Sequence, residues 1–172
     1  MTDRIIFKSA NSAPHAARDA LAMVLAHELV VPSEVVYLLA PWASNIVVFD
    51  NRIGQFDGLN AGWGRREIRL IEVLVAIAQN NTRLFVRVRP DPHNQPFRTR
   101  LADALREGGV SDLCRITQSA LLHTKGLVTA HALLSGSMNF TGNGIAINDE
   151  SLLVTFDSAK VAAARIEFAN ED

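Results

Sequence analysis

The chain has 172 residues, 48% of them hydrophobic, and a formal net charge of −1 at pH 7. This length is enough for one sizeable hydrophobic core and predicts a single domain over residues 1–172. The near-neutral charge excludes the strongly basic type of nucleic-acid-binding domain, and the short, interrupted apolar runs exclude a membrane-spanning helix. The N-terminal residues lack the pattern of a signal peptide, so we expect a cytoplasmic protein without stable membrane association.

The first half of the chain alternates between short apolar segments and helical patterns. Residues 5–8 and the continuously apolar residues 35–39 predict strands, and residues 12–29, which open with Ser and Pro, predict a helix. Residues 51–64 are rich in Gly, Asn and Asp and predict a loop. After this loop, apolar residues at helical spacing predict an amphipathic helix over residues 65–79.

The second half continues this alternation. A strand over residues 83–88 precedes a proline-rich connection and a helix over residues 97–107, which a Gly-Gly pair ends. The remaining predicted elements are strands over residues 113–116, 121–128, 132–134 and 152–156, and a helix that begins at Ser158. This order predicts an α/β fold with a mixed, mostly parallel central sheet that is flanked by helices on both faces.

Five residues in the second half of the chain have side chains suited to phosphodiester chemistry. His123 and Lys125 are two positions apart, so on a strand their side chains share a face and converge on one bound group. Lys125 neutralises a phosphate oxygen, while the Ser137 hydroxyl and the Asn139 amide donate hydrogen bonds to other oxygens. His123 is then free to attack phosphorus or to move a proton, and Glu150 adds a carboxylate.

This pattern resembles the signature of the phospholipase D superfamily, which is a His-x-Lys segment, a Gly-Ser-x-Asn turn and a later acid. The resemblance implies a phospholipase D-like fold, a covalent phosphohistidine intermediate and an acid that orients the histidine. It implies no metal and no cofactor, because lysine supplies the positive charge and histidine replaces activated water as the first nucleophile. The spacing is most similar to that of the short, single-motif endonucleases of the superfamily. The matching residues are His123, Lys125, Gly136, Ser137, Asn139 and Glu150.

One position departs from the family pattern. The aspartate that the family places five residues after the lysine is Ala130 here, and no acid lies between Lys125 and Asp149. In the family this aspartate supports the motif through salt bridges instead of attacking phosphorus. Its loss therefore weakens the case for activity without removing it, and the neighbouring His131 is a candidate for partial substitution.

The loop after the second predicted strand is a candidate for substrate binding. In relatives this strand end borders the substrate pocket, so Trp42, Ser44 and Asn45 are predicted to contact a base or a head group. Gly136 and Thr141, from the Gly-Ser-x-Asn region, are predicted to bind substrate beside them. The alternative for Trp42 is a core or hinge aromatic residue.

Several arginines precede the motif. Arg83, Arg87 and Arg89 alternate with apolar residues along one predicted strand. They are followed by Arg98, Arg100, Arg106 and Arg115. These side chains form either an ordinary solvated face or a basic approach to His123 that attracts a phosphate backbone.

The motif occurs once in the chain, and this affects the predicted mechanism. A histidine nucleophile needs an acid on the opposite side of phosphorus, and one His123 cannot occupy both sides. We therefore predict a homodimer whose two-fold axis brings two copies of His123, Lys125 and Asn139 into one composite site.

The sequence thus favours a metal-independent phosphodiesterase, and more specifically a nuclease that acts on DNA in preference to RNA. Family analogy adds the expectation of partner proteins in a restriction or defence system. Two alternatives stay open. One is a phospholipid-cleaving enzyme, which an apolar surface around Trp42 and Trp63 would support. The other is a phosphate-binding scaffold module whose chemistry was lost with the change at Ala130.

Overall fold

The computed structural model describes residues 3–9, 13 and 15–170. Within these ranges the strands are β1 (Arg4–Lys8), β2 (Val35–Leu39), β3 (Val47–Asp50), β4 (Glu67–Arg69), β5 (Arg83–Val88), β6 (Cys114–Gln118), β7 (Gly126–Val128), β8 (Leu133–Gly136) and β9 (Glu150–Thr155). The α-helices are α1 (Ala16–Val30), α2 (Leu70–Gln79), α3 (Gln95–Glu107), α4 (Gly142–Ala146) and α5 (Ser158–Asn170). Short 3-10 helices cover Ala61–Trp63, Pro92–Asn94 and Ser111–Leu113.

A central sheet contains seven of these strands in the order β1-β9-β8-β7-β2-β5-β6. The pairs β2–β5 and β5–β6 are parallel, whereas the other four pairs in this described sheet are antiparallel. The predicted mixed α/β class is therefore confirmed, but parallel pairs are the minority and not the expected majority. One reason is the short turn at residues 129–132, which reverses the chain between β7 and β8 and leaves no room for a crossover.

Helices cover both faces of the sheet, as predicted. One face packs against α1, α2 and α3 and buries side chains such as Leu38, Val86 and Leu134. The opposite face packs against α5 through Val161 and Phe168. Because successive side chains of a strand point to opposite faces, each central strand contributes to both apolar layers.

Several element boundaries differ from the predictions. The predicted helix start at Ser12 and Pro14 lies outside the described residues. Three residues that were predicted to be helical form β4, which pairs with β3, a short strand that the sequence analysis missed. The strand predicted over residues 121–128 is present only as β7, so His123 and Lys125 precede the ladder instead of belonging to it.

The polar segments of the chain meet at one edge of the central sheet. Strands β2, β5 and β6 are parallel and end at this edge, and the antiparallel β7 and β9 begin there. The segments that meet are residues 40–45, 89–94, 119–125 and 136–150. We call these four segments the site edge. It corresponds to the place where ligands bind in open α/β sheets, beyond the carboxyl ends of the parallel strands.

Candidate functional site

His123 and Lys125 lie in the segment that leads into β7. The His123 side chain is exposed, whereas Lys125 is half-buried and its Nζ donates a hydrogen bond to the His123 carbonyl oxygen at 2.9 Å. Burial lowers the pKa of Lys125, the nearby positive charge of Arg89 lowers it further, and the negative charge of Glu150 opposes both effects. Charged groups from two other segments of the site edge thus act on one ammonium group.

Ser137 and Glu150 form a hydrogen-bonded pair between β8 and β9. The Ser137 hydroxyl donates to Glu150 Oε2 and accepts a hydrogen bond from the backbone N–H of Ser151 at 3.0 Å. Gly136 permits this approach, because its φ is +153° and a Cβ atom there would lie 2.1 Å from the Ser151 carbonyl oxygen. Glu150 is only 9% exposed, so its carboxylate is held in place. The Glu150 side chain thus accepts its hydrogen bond from Ser137. A contact through which Glu150 orients His123 stays a prediction.

Asn139 connects the turn after β8 to the loop after β2. Its Oδ1 accepts a hydrogen bond from the backbone N–H of Trp42 at 3.3 Å. The amide nitrogen is therefore the end of Asn139 that can donate to a substrate oxygen. Nearby, the backbone N–H of Ser44 donates to the Phe140 carbonyl oxygen at 2.8 Å. These bonds fix the two loops against each other.

The Trp42 side chain is half-buried and held by polar neighbours. The Arg89 guanidinium carbon lies over the indole, 5.3 Å from the ring centroid, at a distance typical of a cation–π contact. Hydrogen bonds from the His93 backbone N–H and from the Trp42 side chain lower the pKa of Asp91. Trp63 is instead buried in the main core, so the two tryptophans do not form a common apolar surface.

A cavity of about 460 Å³ opens beside Asn139. Trp42, Ser44 and Thr141, which the sequence predicted as substrate-binding residues, line its wall. The Ser44 hydroxyl lies 3.1 Å from His93 Nε2. The Thr141 hydroxyl accepts a hydrogen bond from a backbone N–H at the start of α4, so this side chain also caps a helix. The structure thus groups three of the predicted binding residues around one opening.

Asn45 lies apart from these residues. Its Oδ1 accepts a hydrogen bond from the backbone N–H of Ile71 at 3.0 Å, at the start of α2. Its side chain lines a separate hollow next to Arg69. The structure therefore gives Asn45 a helix-positioning contact and does not bring it to the cavity beside Asn139.

Three further residues with polar side chains line this cavity, and the sequence analysis missed them as binding candidates. They are His93, Asn143 and Asn148. The available signal was their place in loops that follow or precede predicted strands, where binding residues concentrate. That signal is weak without knowledge of which loops meet.

The three arginines in and after β5 have different environments. Arg83 forms an exposed ion pair with Glu34. Arg87 is buried and its Nε donates to the Thr117 hydroxyl at 2.9 Å. Arg89 alone of the three lies at the site edge, where its Nε donates to the Leu122 carbonyl oxygen at 2.7 Å. Of these three arginines, only Arg89 therefore lies where it can belong to the predicted basic approach to His123.

Ala130, where the family signature has an aspartate, lies at the opposite end of β7 from His123. Its N–H donates to the Ser33 hydroxyl at 2.7 Å, and this hydroxyl donates to Glu28 Oε2 at 2.6 Å. Glu28 is buried, and burial raises its pKa. His131 packs against another histidine ring in the same region. The change at position 130 therefore removes no group from the site edge.

Neither a metal site nor a membrane-spanning helix is found among the residues that the structure describes. Among them, no group of three or more His, Cys, Asp or Glu side chains could hold a metal ion. The described helices include none that is both long and apolar enough to cross a bilayer.

Comparison with known proteins finds similarity in structure only. No family model matches the chain, and no curated protein matches its sequence. NucT from Helicobacter pylori matches with a TM-score of 0.60 at 15% identity, over 98% of this chain and 94% of NucT. Nuc from Salmonella typhimurium, a phospholipase D family member, matches with a TM-score of 0.63 at 11% identity, over 98% of this chain and 92% of Nuc.

A polyphosphate kinase from Porphyromonas gingivalis has a similar TM-score of 0.64 at 17% identity, but the match covers 97% of this chain and only 25% of the kinase. Proteins with different names thus share this architecture, and at such identities the likeness concerns the fold and not the reaction. The sheet, the flanking helices and the matches to Nuc and NucT together establish that this chain has the fold of the phospholipase D superfamily.

Proposed function

We propose that the chain is a metal-independent phosphodiesterase and that its substrate is DNA. The observation that carries this proposal is the position of His123, Lys125, Asn139 and Glu150 at one edge of the sheet. A nucleophile, a cation, an amide donor and a buried carboxylate come from two of the four segments that meet at this edge. Their order matches the phospholipase D signature, and their surroundings suit a phosphate ester.

The proposed reaction has two steps. First, a ring nitrogen of His123 bonds to phosphorus, the bond to the leaving oxygen breaks, and that oxygen takes a proton from the partner subunit's His123. Water then attacks the phosphohistidine, gives a proton back to that second imidazole, and the phosphorus–nitrogen bond breaks. Lys125 and Asn139 stabilise the negative charge on the five-coordinate phosphorus.

We propose that a homodimer supplies the second histidine, and exposed apolar side chains beside the site support this. Leu121, two residues before His123, is 91% exposed. Phe7 is 74% exposed and lines a hollow with Ser137 and Glu150. Exposed apolar side chains next to a functional site favour a contact surface. An isologous contact there would bury both side chains and bring two copies of His123 together.

Nucleic acid suits the site better than phospholipid. Arg89 places a second positive charge beside Lys125, and the cavity next to Asn139 has polar walls. The apolar surface that would favour phospholipid is lacking around the two tryptophans, because Trp63 is buried. The near-complete overlap with the chains of Nuc and NucT supports one catalytic domain over residues 1–172. Cytoplasmic location and partners from a restriction or defence system are part of the proposal by analogy.

The proposal is tested by incubating the protein in EDTA with plasmid DNA, an RNA transcript, phospholipid vesicles and bis-p-nitrophenyl phosphate. We expect cleavage of DNA and release of p-nitrophenol, with slower cleavage of RNA and no hydrolysis of phospholipid. Turnover of phospholipid alone would favour the lipase alternative. Absence of turnover of every substrate would favour the scaffold alternative.

Glu150→Gln is expected to lower kcat by roughly 10- to 100-fold and to change KM much less. Glutamine keeps the volume of the side chain and an oxygen that accepts the Ser137 hydroxyl, but it removes the negative charge that steadies a positive imidazole. Steady-state kinetics on bis-p-nitrophenyl phosphate separates the two parameters. Glu107→Gln, at an exposed position of α3, is the matched control. Equal changes in kcat and KM would indicate a carboxylate with a structural role only.

Arg89→Gln is expected to move the alkaline limb of the pH–rate profile to higher pH. Activity needs a charged Lys125, so it falls as pH rises through the pKa of this lysine, which burial and the Arg89 charge both lower. Removing the Arg89 charge raises that pKa, so the lysine stays charged to higher pH. Arg89→Lys keeps the positive charge and serves as the control. An unchanged limb, or a shift to lower pH, would contradict this electrostatic link.

A further inference from the structure

We infer that the cavity beside Asn139 is a subsite for one unpaired nucleobase, which makes single-stranded nucleic acid the preferred substrate. The inference rests on the proposed nuclease function and names the form of nucleic acid on which it acts.

The first observation is that Trp42 forms a fixed aromatic wall. Its backbone N–H donates a hydrogen bond to Asn139 Oδ1 at 3.3 Å, and the Arg89 guanidinium carbon lies over its ring, 5.3 Å from the centroid. Trp42 lines the cavity, whereas Arg89 is not among the residues that line it. An aromatic ring held in this way loses little conformational freedom when a base stacks on it.

The second observation concerns the polar side chains of the cavity. Asn139, Asn143 and Asn148 contribute carboxamides, Ser44 a hydroxyl and His93 an imidazole. Among the described residues that line this cavity there is no Asp, Glu, Lys or Arg. Neutral groups that both donate and accept hydrogen bonds match the edges of a nucleobase, and they supply none of the positive charge that would favour a second phosphate.

The third observation is the position and size of the cavity. Asn139 belongs both to the cavity wall and to the signature that surrounds the reacting phosphate. This shared residue favours a base that belongs to a nucleotide next to the cleaved bond. A volume of about 460 Å³ holds a single base with its sugar. A base in a duplex would have to lose its pairing and stacking to enter, whereas an unpaired base enters without that cost.

The inference is tested with three chromogenic esters, which are thymidine 3′-(p-nitrophenyl phosphate), thymidine 5′-(p-nitrophenyl phosphate) and methyl p-nitrophenyl phosphate. We expect at least one thymidine ester to have a kcat/KM higher than that of the methyl ester by on the order of 10- to 100-fold. Trp42→Leu is expected to remove this preference, while Trp42→Phe, which keeps an aromatic ring, retains part of it. Equal kcat/KM values for all three esters would overturn the base subsite and leave the phosphodiesterase proposal standing.

Binding is measured separately, so that an inactive protein still tests the inference. In a Trp63→Phe variant, Trp42 is the remaining tryptophan, and base stacking quenches its fluorescence. We expect saturable quenching by single-stranded oligothymidylate, and much weaker quenching by the same strand paired with oligoadenylate. Absence of quenching by the single strand, or equal quenching by the duplex, would overturn the inference whether or not the esters are hydrolysed.

Discussion

His123→Ala is expected to lower kcat for DNA and for bis-p-nitrophenyl phosphate by about 10⁴-fold or more. In the proposed mechanism this imidazole forms the covalent bond to phosphorus, and its copy in the partner subunit protonates the leaving oxygen. A single substitution therefore removes both the nucleophile and the general acid. The side chain is exposed, so the variant is expected to fold, and circular dichroism with thermal melting checks this.

His131→Ala is the matched control for this prediction. His131 lies at the opposite end of β7 and packs against another histidine ring, so its loss is expected to leave turnover close to that of the parent. A fall in kcat of similar size in both variants would indicate a general loss of structure. Retained turnover in His123→Ala would contradict the phosphohistidine mechanism.

Mixing parent and His123→Ala chains tests the composite site. When the two chains are co-expressed in equal amounts and assemble at random, about one quarter of the dimers carry two copies of His123. The mixture is therefore expected to have about one quarter of the activity of the parent dimer. Independent sites in each chain would instead retain about one half of the activity. Sedimentation that finds only monomers at assay concentration would also contradict the dimer.

Lys125→Met is expected to lower kcat by roughly 10²- to 10³-fold, because it removes the ammonium that stabilises charge on the five-coordinate phosphorus. Methionine keeps most of the length of the aliphatic chain, and the half-buried position tolerates it. The loss is expected on bis-p-nitrophenyl phosphate as well as on DNA, since the small ester has the same reacting phosphate.

Lys160→Met is the matched control. Lys160 is an exposed lysine on α5, away from the site edge, and it forms an ion pair with Asp3. This variant is expected to keep the activity of the parent. If Lys125→Met weakened only DNA binding and left turnover of the small ester unchanged, Lys125 would be a backbone-binding residue and not a part of the reacting site.

The sequence was a good guide to the residues of the site, because their side-chain types and local spacing carry the signature. His123, Lys125, Asn139 and Glu150 could be chosen without a structure, and all of them lie at the site edge. The hydrogen-bond partners of the side chains in the site were harder to predict. The Ser137 hydroxyl was expected to donate to a phosphate, but in the structure it donates to Glu150. That contact depends on the pairing of β8 with β9, which side-chain patterns do not specify.

The contacts that hold Trp42 in place could not be predicted from the sequence. Trp42 and Asn139 are 97 positions apart, and their contact exists only because two loops meet at the same edge of the sheet. Arg89 looked like one of several similar arginines on a strand. Arg83 instead forms an exposed ion pair and Arg87 a buried hydrogen bond, so three arginines close together in the chain have three different environments.

The sequence by itself determined the order of the helices and strands apart from β3, β4 and α4, the apolar faces that build the core and the chemical groups available for reaction. These follow from local periodicity and residue type, which act over a few positions of the chain. Only the tertiary structure decided that most strand pairs are antiparallel, that Glu150 pairs with Ser137 and that a polar cavity opens beside Asn139. Those features depend on strand order and on hydrogen bonds between distant segments, and their free energy is gained only when the whole sheet is assembled.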